Sequence, residues 1–175
     1  MGKLSYDISA GGEKVFMRVL LLDDNNACLE SLITALEPAG YQCAAFVDPI
    51  EAMRAYRQHG HDVVITDLKL PGMNGVQVLK LVRSWNTKTE VILITGYGDI
   101  NSAIVAVNLH AYAYLVKPLN LEELIGILEE IAQQRCKEDK LRNECMRIAR
   151  ECTRLSRLFE ELSMFLNRTF DTLHV

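Results

Sequence analysis

The stretch VVITDLKLPGMNG, residues 63–75, decides the fold that we expect for this chain. It opens with a continuous run of apolar and β-branched residues, which is typical of a strand covered on both faces. The acid Asp67 follows this run directly. Asn74, with Gln77 three residues later, then marks the start of a helix. The segment therefore predicts a buried strand that ends in an acidic loop and leads into a helix.

The same alternation of strand and helix repeats from Met17 onward. Short apolar runs predict five strands: Val19–Leu22, Tyr41–Phe46, Asp62–Thr66, Val91–Ile94 and Tyr112–Val116. Amphipathic segments predict four helices between them: Ala27–Glu37, Ile50–Gln58, Val76–Ser84 and Ile100–Leu109. Asp48 followed by Pro49 is a typical helix start, and so is Asn120 with Glu123. This order predicts an α/β fold, with a parallel sheet that carries helices on both faces.

The composition fits a globular protein and excludes several function classes. Hydrophobic residues make up 49% and charged residues 24% of the 175 residues, so the chain is not disordered by composition. The net charge of −4 gives no basic footprint for nucleic acid. No apolar run approaches the roughly 20 residues that span a bilayer. We expect one domain with a modest appendage.

The N-terminus and the cysteines indicate a cytoplasmic protein. Residues 1–16 are polar, lack the apolar core of a secretory signal and are expected to form a mobile leader. The five cysteines show no CxxC pair and no zinc-ligand spacing, so we interpret them as reduced thiols. An intermolecular disulfide remains the alternative. The cysteines are Cys28, Cys43, Cys136, Cys145 and Cys152.

Polar side chains follow four of the predicted strands. They are Asp23 and Asp24 after the first, Asp67 after the third, Thr95 after the fourth and Lys117 after the fifth. In parallel α/β sheets the carboxyl ends of the strands share one edge, and chemistry gathers there. We therefore expect these side chains to lie close together. Each alone has a plainer interpretation, such as a helix cap or a solvated lysine, and only their joint placement indicates a site.

Three carboxylates and a lysine in one place suit phosphoryl transfer. Carboxylates packed together repel unless a cation intervenes, and Mg²⁺ (or Mn²⁺) prefers oxygen ligands of this kind. Phosphoryl transfer depends mainly on positioning and on neutralising the equatorial oxygens, which a metal, Lys117 and Thr95 could do. Asp67 is the expected nucleophile, and attack would form an aspartyl phosphate.

These residues, in type, order and spacing, resemble the motif set of bacterial response-regulator receiver domains. The stretches DLKLPGMNG and TGYGD are most similar to receivers of the nitrogen-regulation and fixation classes. The resemblance covers about residues 17–132. It implies a flavodoxin-like (βα)5 fold with a doubly wound sheet in strand order 2-1-3-4-5. It also implies a role in two-component signalling, in which a sensor histidine kinase or phosphotransfer protein phosphorylates Asp67.

The resemblance also implies roles for individual residues. Asp24 and Asp67 would hold the metal directly with the backbone carbonyl of Lys69, and Asp23 would act largely through a bound water. Lys117 would pair with the phosphoryl group and precede a cis proline bond. Thr95 would hydrogen-bond the phosphoryl group. Such a receiver catalyses only its own Mg²⁺-dependent phosphorylation and dephosphorylation and is otherwise not an enzyme.

Three further positions concern switching and the lifetime of the phosphoryl group. Tyr114 matches the switch aromatic of the family and would turn inward as Thr95 moves, although a plain core aromatic is the alternative. That motion would remodel the face of the fourth helix, fifth strand and fifth helix. Lys69 and Tyr97 flank the route of attacking water, and their bulk predicts slow self-dephosphorylation.

The tail reads as one long helix. Residues 120–173 contain no proline, and such a helix would be about 80 Å long at 1.5 Å per residue. With Leu124 at heptad position a, apolar residues recur at a and d, interrupted at Gln134 and Glu138, which predicts a coiled coil. We divide the chain into a leader (1–16), a receiver (17–133) and a helical extension (134–175). The coil seam comprises Leu141, Cys145, Ile148, Cys152, Leu155, Phe159, Leu162 and Leu166.

Several interpretations of the tail and of the output stay open. The extension could dimerise, join a helical bundle, fold back on the receiver, or be a linker from a longer protein. We expect a homodimer, through the face of the fourth and fifth helices, through the extension, or through both. The chain carries no recognisable DNA-reading helix pair, so we expect no nucleic acid contact and no membrane contact. The alternatives are a fragment of a larger transcriptional regulator or hybrid kinase, and a dimerising scaffold that is never phosphorylated.

Overall fold

The structure, a computed structural model, describes residues 6–7, 14–15, 17–96, 98 and 100–172. Five strands form the main sheet: β1 Arg18–Leu22, β2 Gln42–Phe46, β3 Val63–Asp67, β4 Glu90–Thr95 and β5 Ala113–Val116. Five helices follow them: α1 Asn26–Leu36, α2 Pro49–His59, α3 Gly75–Trp85, α4 Ile100–Asn108 and α5 Leu121–Thr172.

The sheet is parallel throughout, in the order β2-β1-β3-β4-β5. This confirms the flavodoxin-like doubly wound fold. The order reverses direction at β1, because β2 lies on one side of it and β3 on the other. Such a switch point opens a crevice at the carboxyl ends of the neighbouring strands. The first and third strands, which end in acids, therefore border that crevice.

Two apolar layers cover the sheet. One face packs against α1 and the start of α5, with Leu29, Leu36, Leu124 and Leu128 in its core. The other face packs against α2, α3 and α4, with residues such as Met53. Strands β1, β3 and β4 are buried on both faces, as their continuous apolar runs predicted. They hold the carboxyl ends of the strands in fixed register.

The edge strand β2 differs from the expectation. Its residues are half-buried or exposed rather than covered on both faces. The physical reason is its position, since an edge strand has a neighbour on one side only. A run of apolar residues does not distinguish an edge strand from a central one. The region expected to be a leader also contains a short antiparallel ladder between Tyr6–Asp7 and Lys14–Val15, which the sequence pattern did not indicate.

Side-chain caps fix where the helices begin. The side chain of Asn25 accepts hydrogen bonds from the backbone of Ala27 and Cys28 at the start of α1. Asp48 does the same for α2, ahead of Pro49. Asn74 and Gln77 form the reciprocal capping box expected from the sequence, which starts α3. Each cap satisfies backbone N–H groups that have no partner inside the helix.

A network of hydrogen bonds made by polar side chains lies at the amino ends of the strands. The hydroxyl of Tyr56 lies 2.7 Å from the hydroxyl of Thr89, which donates to the carbonyl of His61. The rings of His61 and Trp85 each stack with the Tyr56 ring, at centroid distances of 6.1 and 5.9 Å. Arg83 donates to the carbonyls of Thr87, Thr89 and His110 and pairs with Glu90. These contacts join the start of β3 and β4 to α2 and α3.

His61 should make the protein less stable in mild acid. Burial, then the charge of Arg18, lowers the pKa of His61 to about 4 from 6.5, and its Nδ1 has no hydrogen-bond partner. Above pH 6.5 the imidazole is neutral in both folded and unfolded states. As pH falls from 6.5 towards 4, only the unfolded state takes up a proton, so stability falls.

We expect the free energy of unfolding to drop by about 2 kcal/mol between pH 6.5 and 4.5 because of this group. Urea unfolding of the wild type and of His61→Phe across that pH range gives the free energy of unfolding of each. The difference between the two isolates the contribution of His61. His59→Gln, at an exposed position on α2, is the control and should follow the wild type. Parallel curves for wild type and His61→Phe would rule this account out.

Helix α5 continues past the residues that pack against the sheet. The chain divides into two compact units, Met1–Ala132 and Gln133–Val175. In the first unit Leu124, Leu128 and Ile131 are buried against the sheet. In the second, every described side chain from Leu141 to Met164 is exposed. Among the described residues, no helix has the length and apolarity needed to cross a membrane.

Candidate functional site

Three carboxylates meet at the carboxyl edge of the sheet. Asp67 is the last residue of β3, and Asp23 and Asp24 follow β1. Their ligand atoms all lie within 4.8 Å of one another. Asp23 is 2% and Asp67 6% exposed, whereas Asp24 faces solvent. The structure thus brings together the three acids that the strand-end rule predicted, with two of them shielded from water.

Lys117 supplies the positive charge that holds these acids together. Its Nζ donates to Asp23 Oδ2 at 2.6 Å and also to Asp67 Oδ2. Burial would lower the pKa of Lys117, but the hydrogen bonds and charges of Asp23 and Asp67 outweigh it, so the pKa is raised. The lysine is therefore a permanent cation. The peptide bond from Lys117 to Pro118 is cis, and the Lys117 N–H donates to the carbonyl of Thr95 at 2.7 Å.

The loop after β3 fixes the orientation of Asp67. Asp67 Oδ1 accepts the Lys69 N–H at 2.7 Å, while the other carboxylate oxygen faces Lys117. Gly75, at the start of α3, lies so close that a Cβ there would sit 2.5 Å from the Asp67 carbonyl oxygen. Its N–H donates to the Leu68 carbonyl at 3.1 Å. Only glycine permits this approach, and the helix start holds the acidic loop in place.

Thr95 and Tyr114 occupy the neighbouring strand ends. Thr95 is fully buried at the end of β4. Tyr114 lies on β5 opposite Leu93, is half-buried, and places its hydroxyl 2.8 Å from the Ser102 hydroxyl on α4. Sequence reasoning proposed Tyr114 as a switch residue, which stays a prediction, and did not single out Ser102. A helical serine carries no signal of such a contact, because it depends on how α4 packs on the sheet.

Two further residues beside the acids were missed. Asn25 donates its backbone N–H to Asp23 Oδ1 at 2.9 Å and also caps α1. Burial, then a hydrogen bond with Asp23, raises the pKa of the Cys28 thiol to about 11, so the thiol is neutral. Asn25 was detectable in principle, since Asn directly before a helical segment is a preferred cap. Cys28 carried no signal.

An open groove of about 580 Å³ adjoins the acidic cluster. Among its lining residues are Asp24, Lys69, Asn74 and Ser102. Lys69 therefore lines a groove that also contains Asp24, and its effect on attacking water stays a prediction. Tyr97, the second residue of that expectation, lies outside the described residues. The groove therefore borders the exposed acid of the cluster, Asp24.

The donor set fits a hard divalent cation. Three carboxylates offer only oxygen ligands, two of them buried, and a single lysine leaves the cluster with excess negative charge. Mg²⁺ is bound in proteins through one or two carboxylates plus waters and substrate phosphates. The exposed Asp24 leaves one side of the cluster open to solvent.

Two apolar surfaces lie outside the acidic cluster. On α4 the side chains of Ile100, Ile104 and Val107 are 80%, 52% and 70% exposed and share one stripe. On the extension of α5 the d positions Leu141, Ile148, Leu155 and Leu162 are all more than half exposed. Phe159 of the seam is exposed as well, and the side chain of Leu166 lies outside the described residues.

Comparisons with known proteins agree with this geometry. The family model described as "Response regulator receiver domain" matches residues 19–129. The regulatory protein AtoC of Escherichia coli K12 is 31% identical over 126 residues, which is 72% of this chain and 27% of that protein. The DNA-binding transcriptional regulator NtrC of the same strain is 29% identical over 125 residues, or 71% and 27%. The chain thus spans about a quarter of the length of these relatives.

A solved structure gives the same result for the fold. The CheY-like receiver domain protein of Methanospirillum hungatei superposes with a TM-score of 0.64 at 28% identity. The match covers 72% of this chain and 98% of that one. The residues matched by the family model end within α5, at residue 129.

Proposed function

Because this chain belongs to the response regulator receiver domain family, we propose that it accepts a phosphoryl group on Asp67 from a histidine kinase or phosphotransfer protein. The observation that carries this proposal is the cluster of Asp23, Asp24 and Asp67, in which Lys117 forms ion pairs with Asp23 and Asp67. Receiver domains are signalling domains rather than enzymes that act on other substrates. The proposed output is a change in protein–protein contacts.

In the proposed reaction an Asp67 carboxylate oxygen attacks the phosphorus and the donor leaves. Asp67 is held for this by the Lys69 N–H on one oxygen and by Lys117 on the other. Asp23, Asp24 and Asp67, with the Lys69 carbonyl, would hold Mg²⁺, which when bound neutralises charge on the phosphoryl oxygens. Lys117 would exchange part of its contact with Asp67 for a phosphoryl oxygen, and the Thr95 hydroxyl would donate to another.

The proposed switch involves the contact between Tyr114 and Ser102. Movement of Thr95 towards the phosphoryl group would open space beside β5, into which Tyr114 could turn. Turning would break its hydrogen bond with the Ser102 hydroxyl on α4. Because α4 carries the exposed stripe of Ile100, Ile104 and Val107, its displacement would change the surface offered to a partner.

We further propose that the chain forms a homodimer through this α4 and α5 face, through the extension, or through both. Residues 134–175 would be the dimerising or signalling segment. Lys69, beside the groove, supports the expectation of slow dephosphorylation, which phosphate-release kinetics would measure directly; loss within seconds would contradict it. The pathway and the effector would be set by the proteins that this module contacts.

Intact mass spectrometry tests the central proposal. Incubation with Mg²⁺ and acetyl phosphate should add the mass of one phosphoryl group to the wild type, and none when the divalent ion is chelated. Asp67→Asn should gain nothing, because the amide is not a nucleophile at this site. Asp139→Asn, an acid of the extension that pairs with Arg142, is the matched control and should be phosphorylated like the wild type.

Two outcomes would count against it. If the wild type gains no mass under these conditions, the chain is better interpreted as a scaffold that dimerises without phosphorylation. If Asp67→Asn is phosphorylated as fast as the wild type, the acceptor is another carboxylate. Circular dichroism of each variant shows whether it is folded, so a negative result can be assigned to chemistry.

A further inference from the structure

The extension of α5 has an exposed apolar seam, and its charged side chains lie outside the seam positions. Seam positions from Leu141 to Leu162 carry no ionisable side chain other than the two cysteine thiols. The arginines and acids of this stretch lie at other heptad positions, and two pairs join within the helix: Arg142 with Asp139 and Arg147 with Glu144. A helix outside a core is only marginally stable until its apolar face is packed. This seam therefore requires a partner.

The exposed area suits a two-stranded contact. The seven seam side chains expose on the order of 700 Å² in total, close to the roughly 800 Å² per partner that specific interfaces bury. They are Leu141, Cys145, Ile148, Cys152, Leu155, Phe159 and Leu162. Leucine fills three of the four d positions, which is the preference of parallel two-stranded coils. The seam can also pair with itself, because a second copy presents the same residues at the same heptad positions.

We propose that a second copy of this chain closes the seam in parallel and in register, which places Cys145 opposite Cys145 and Cys152 opposite Cys152. The inference rests on the proposed homodimer and specifies its geometry. In a parallel coil each a position meets the same a position of the partner. Both thiols stand at a, one heptad apart, and both are exposed in the single chain. Position 145 and position 152 would then each hold a pair of thiols, one from each chain, within the seam.

Such pairs react with a small disulfide. One thiolate attacks a sulfur of oxidised glutathione and releases one glutathione thiol. The opposite thiolate then attacks the protein sulfur of the mixed disulfide and releases the second. Overall, two protein thiols and one small disulfide give one bond between chains and two small thiols. The reaction needs the two cysteine Cα atoms roughly 4.4–6.8 Å apart, so its site dependence reports the register.

The chain contains its own control on the same helix. Cys136 stands at heptad position f, on the side away from the seam, and is partly exposed. Cys28 and Cys43 are half-buried and remain in place, and a variant with serine at positions 136, 145 and 152 measures the background linkage from these two thiols. Three variants, each retaining one of Cys136, Cys145 or Cys152 with serine at the other two, then isolate each position.

The test is the yield of linked dimer on non-reducing gels after incubation with oxidised glutathione, together with light scattering. We expect high yield from the Cys145 and Cys152 variants and at least tenfold less from the Cys136 variant. Adding Leu155→Asp should abolish the linkage, whereas Arg157→Asp at an outward f position should leave it unchanged.

The alternatives give different results. In an antiparallel pair a residue meets its own counterpart only at the centre, so Cys145 and Cys152 cannot both link. A dimer by light scattering with one or neither linked would overturn the parallel geometry and leave the proposed homodimer standing. A monomer, as in a fold-back on the receiver, would overturn both. Equal yield from all three variants would indicate random collision and overturn the pairing. Phosphorylation by intact mass is measured separately in each case.

Discussion

Replacing Lys117 by methionine is expected to lower both the stability of the metal-free protein and the rate of phosphorylation. The substitution removes the cation that bridges Asp23 and Asp67, which are 2% and 6% exposed. Removing one partner of a buried ion pair leaves uncompensated charge, and here two carboxylates also repel each other. We expect the free energy of unfolding to fall by about 3 kcal/mol without a divalent ion.

Mg²⁺ should restore much of that loss. A cation that binds only the folded state stabilises it by mass action, and it should bind the acids more tightly once the competing charge of Lys117 is removed, so the deficit should shrink as Mg²⁺ is added. Phosphorylation of Asp67 should remain at least about 100-fold slower even at saturating Mg²⁺, because the charge that faces the phosphoryl oxygen is absent. Urea unfolding with and without Mg²⁺, and intact mass against time, measure the two effects.

The control is Lys80→Met, at an exposed position on α3. It should change stability by less than about 0.5 kcal/mol and leave phosphorylation unaffected. A Lys117→Met protein as stable as the wild type in chelator would contradict the role assigned to this ion pair. A normal phosphorylation rate would show that the lysine is dispensable for transfer.

Replacing Gly75 by alanine is the second change with a large expected effect. A Cβ at this position would lie 2.5 Å from the Asp67 carbonyl oxygen and 3.0 Å from the Leu68 Cα. Both neighbours are backbone, so no flexible side chain can move aside and the loop or the start of α3 must shift. We expect a loss of about 2–3 kcal/mol in the free energy of unfolding.

The same shift should slow phosphorylation by about tenfold or more, because the carboxylate of Asp67 is displaced with its backbone. Gly126→Ala is the matched control. Gly126 lies within α5 with nothing within 4 Å of an added Cβ, and alanine should stabilise the helix by about 0.5–1 kcal/mol. If Gly75→Ala behaves like Gly126→Ala in both assays, the close approach has no consequence for the site.

The strand ends were predictable because sheet geometry is periodic. Continuous apolar runs indicated β1, β3 and β4, and the residue after each run was placed at one edge by the parallel order. Asp23, Asp24 and Asp67 meet there in the structure. The capping box of Asn74 and Gln77 was equally local, since both partners lie within one helical turn. Such local patterns can be recognised from the sequence alone.

Contacts between elements were not predictable in the same way. The meeting of Ser102 with Tyr114, and of Gly75 with Asp67, depends on how far a helix stands from the sheet. The exposure of β2 depends on which strand has a single neighbour. The half-buried Arg83 joins four backbone and side-chain partners from three segments. No periodicity in the sequence encodes these distances.

The composition of α4 has a consequence for how its contacts respond to ionic strength. From Ile100 to Asn108 the helix carries no acidic or basic side chain. Any association through this face is driven by removing apolar surface from water, so excluded salts such as sulfate should strengthen it. Salt screens the shielded ion pairs of Lys117 with Asp23 and Asp67 less than it screens ion pairs at the surface. Raising sulfate concentration should therefore favour contacts made by α4 while weakening any charged docking of a kinase.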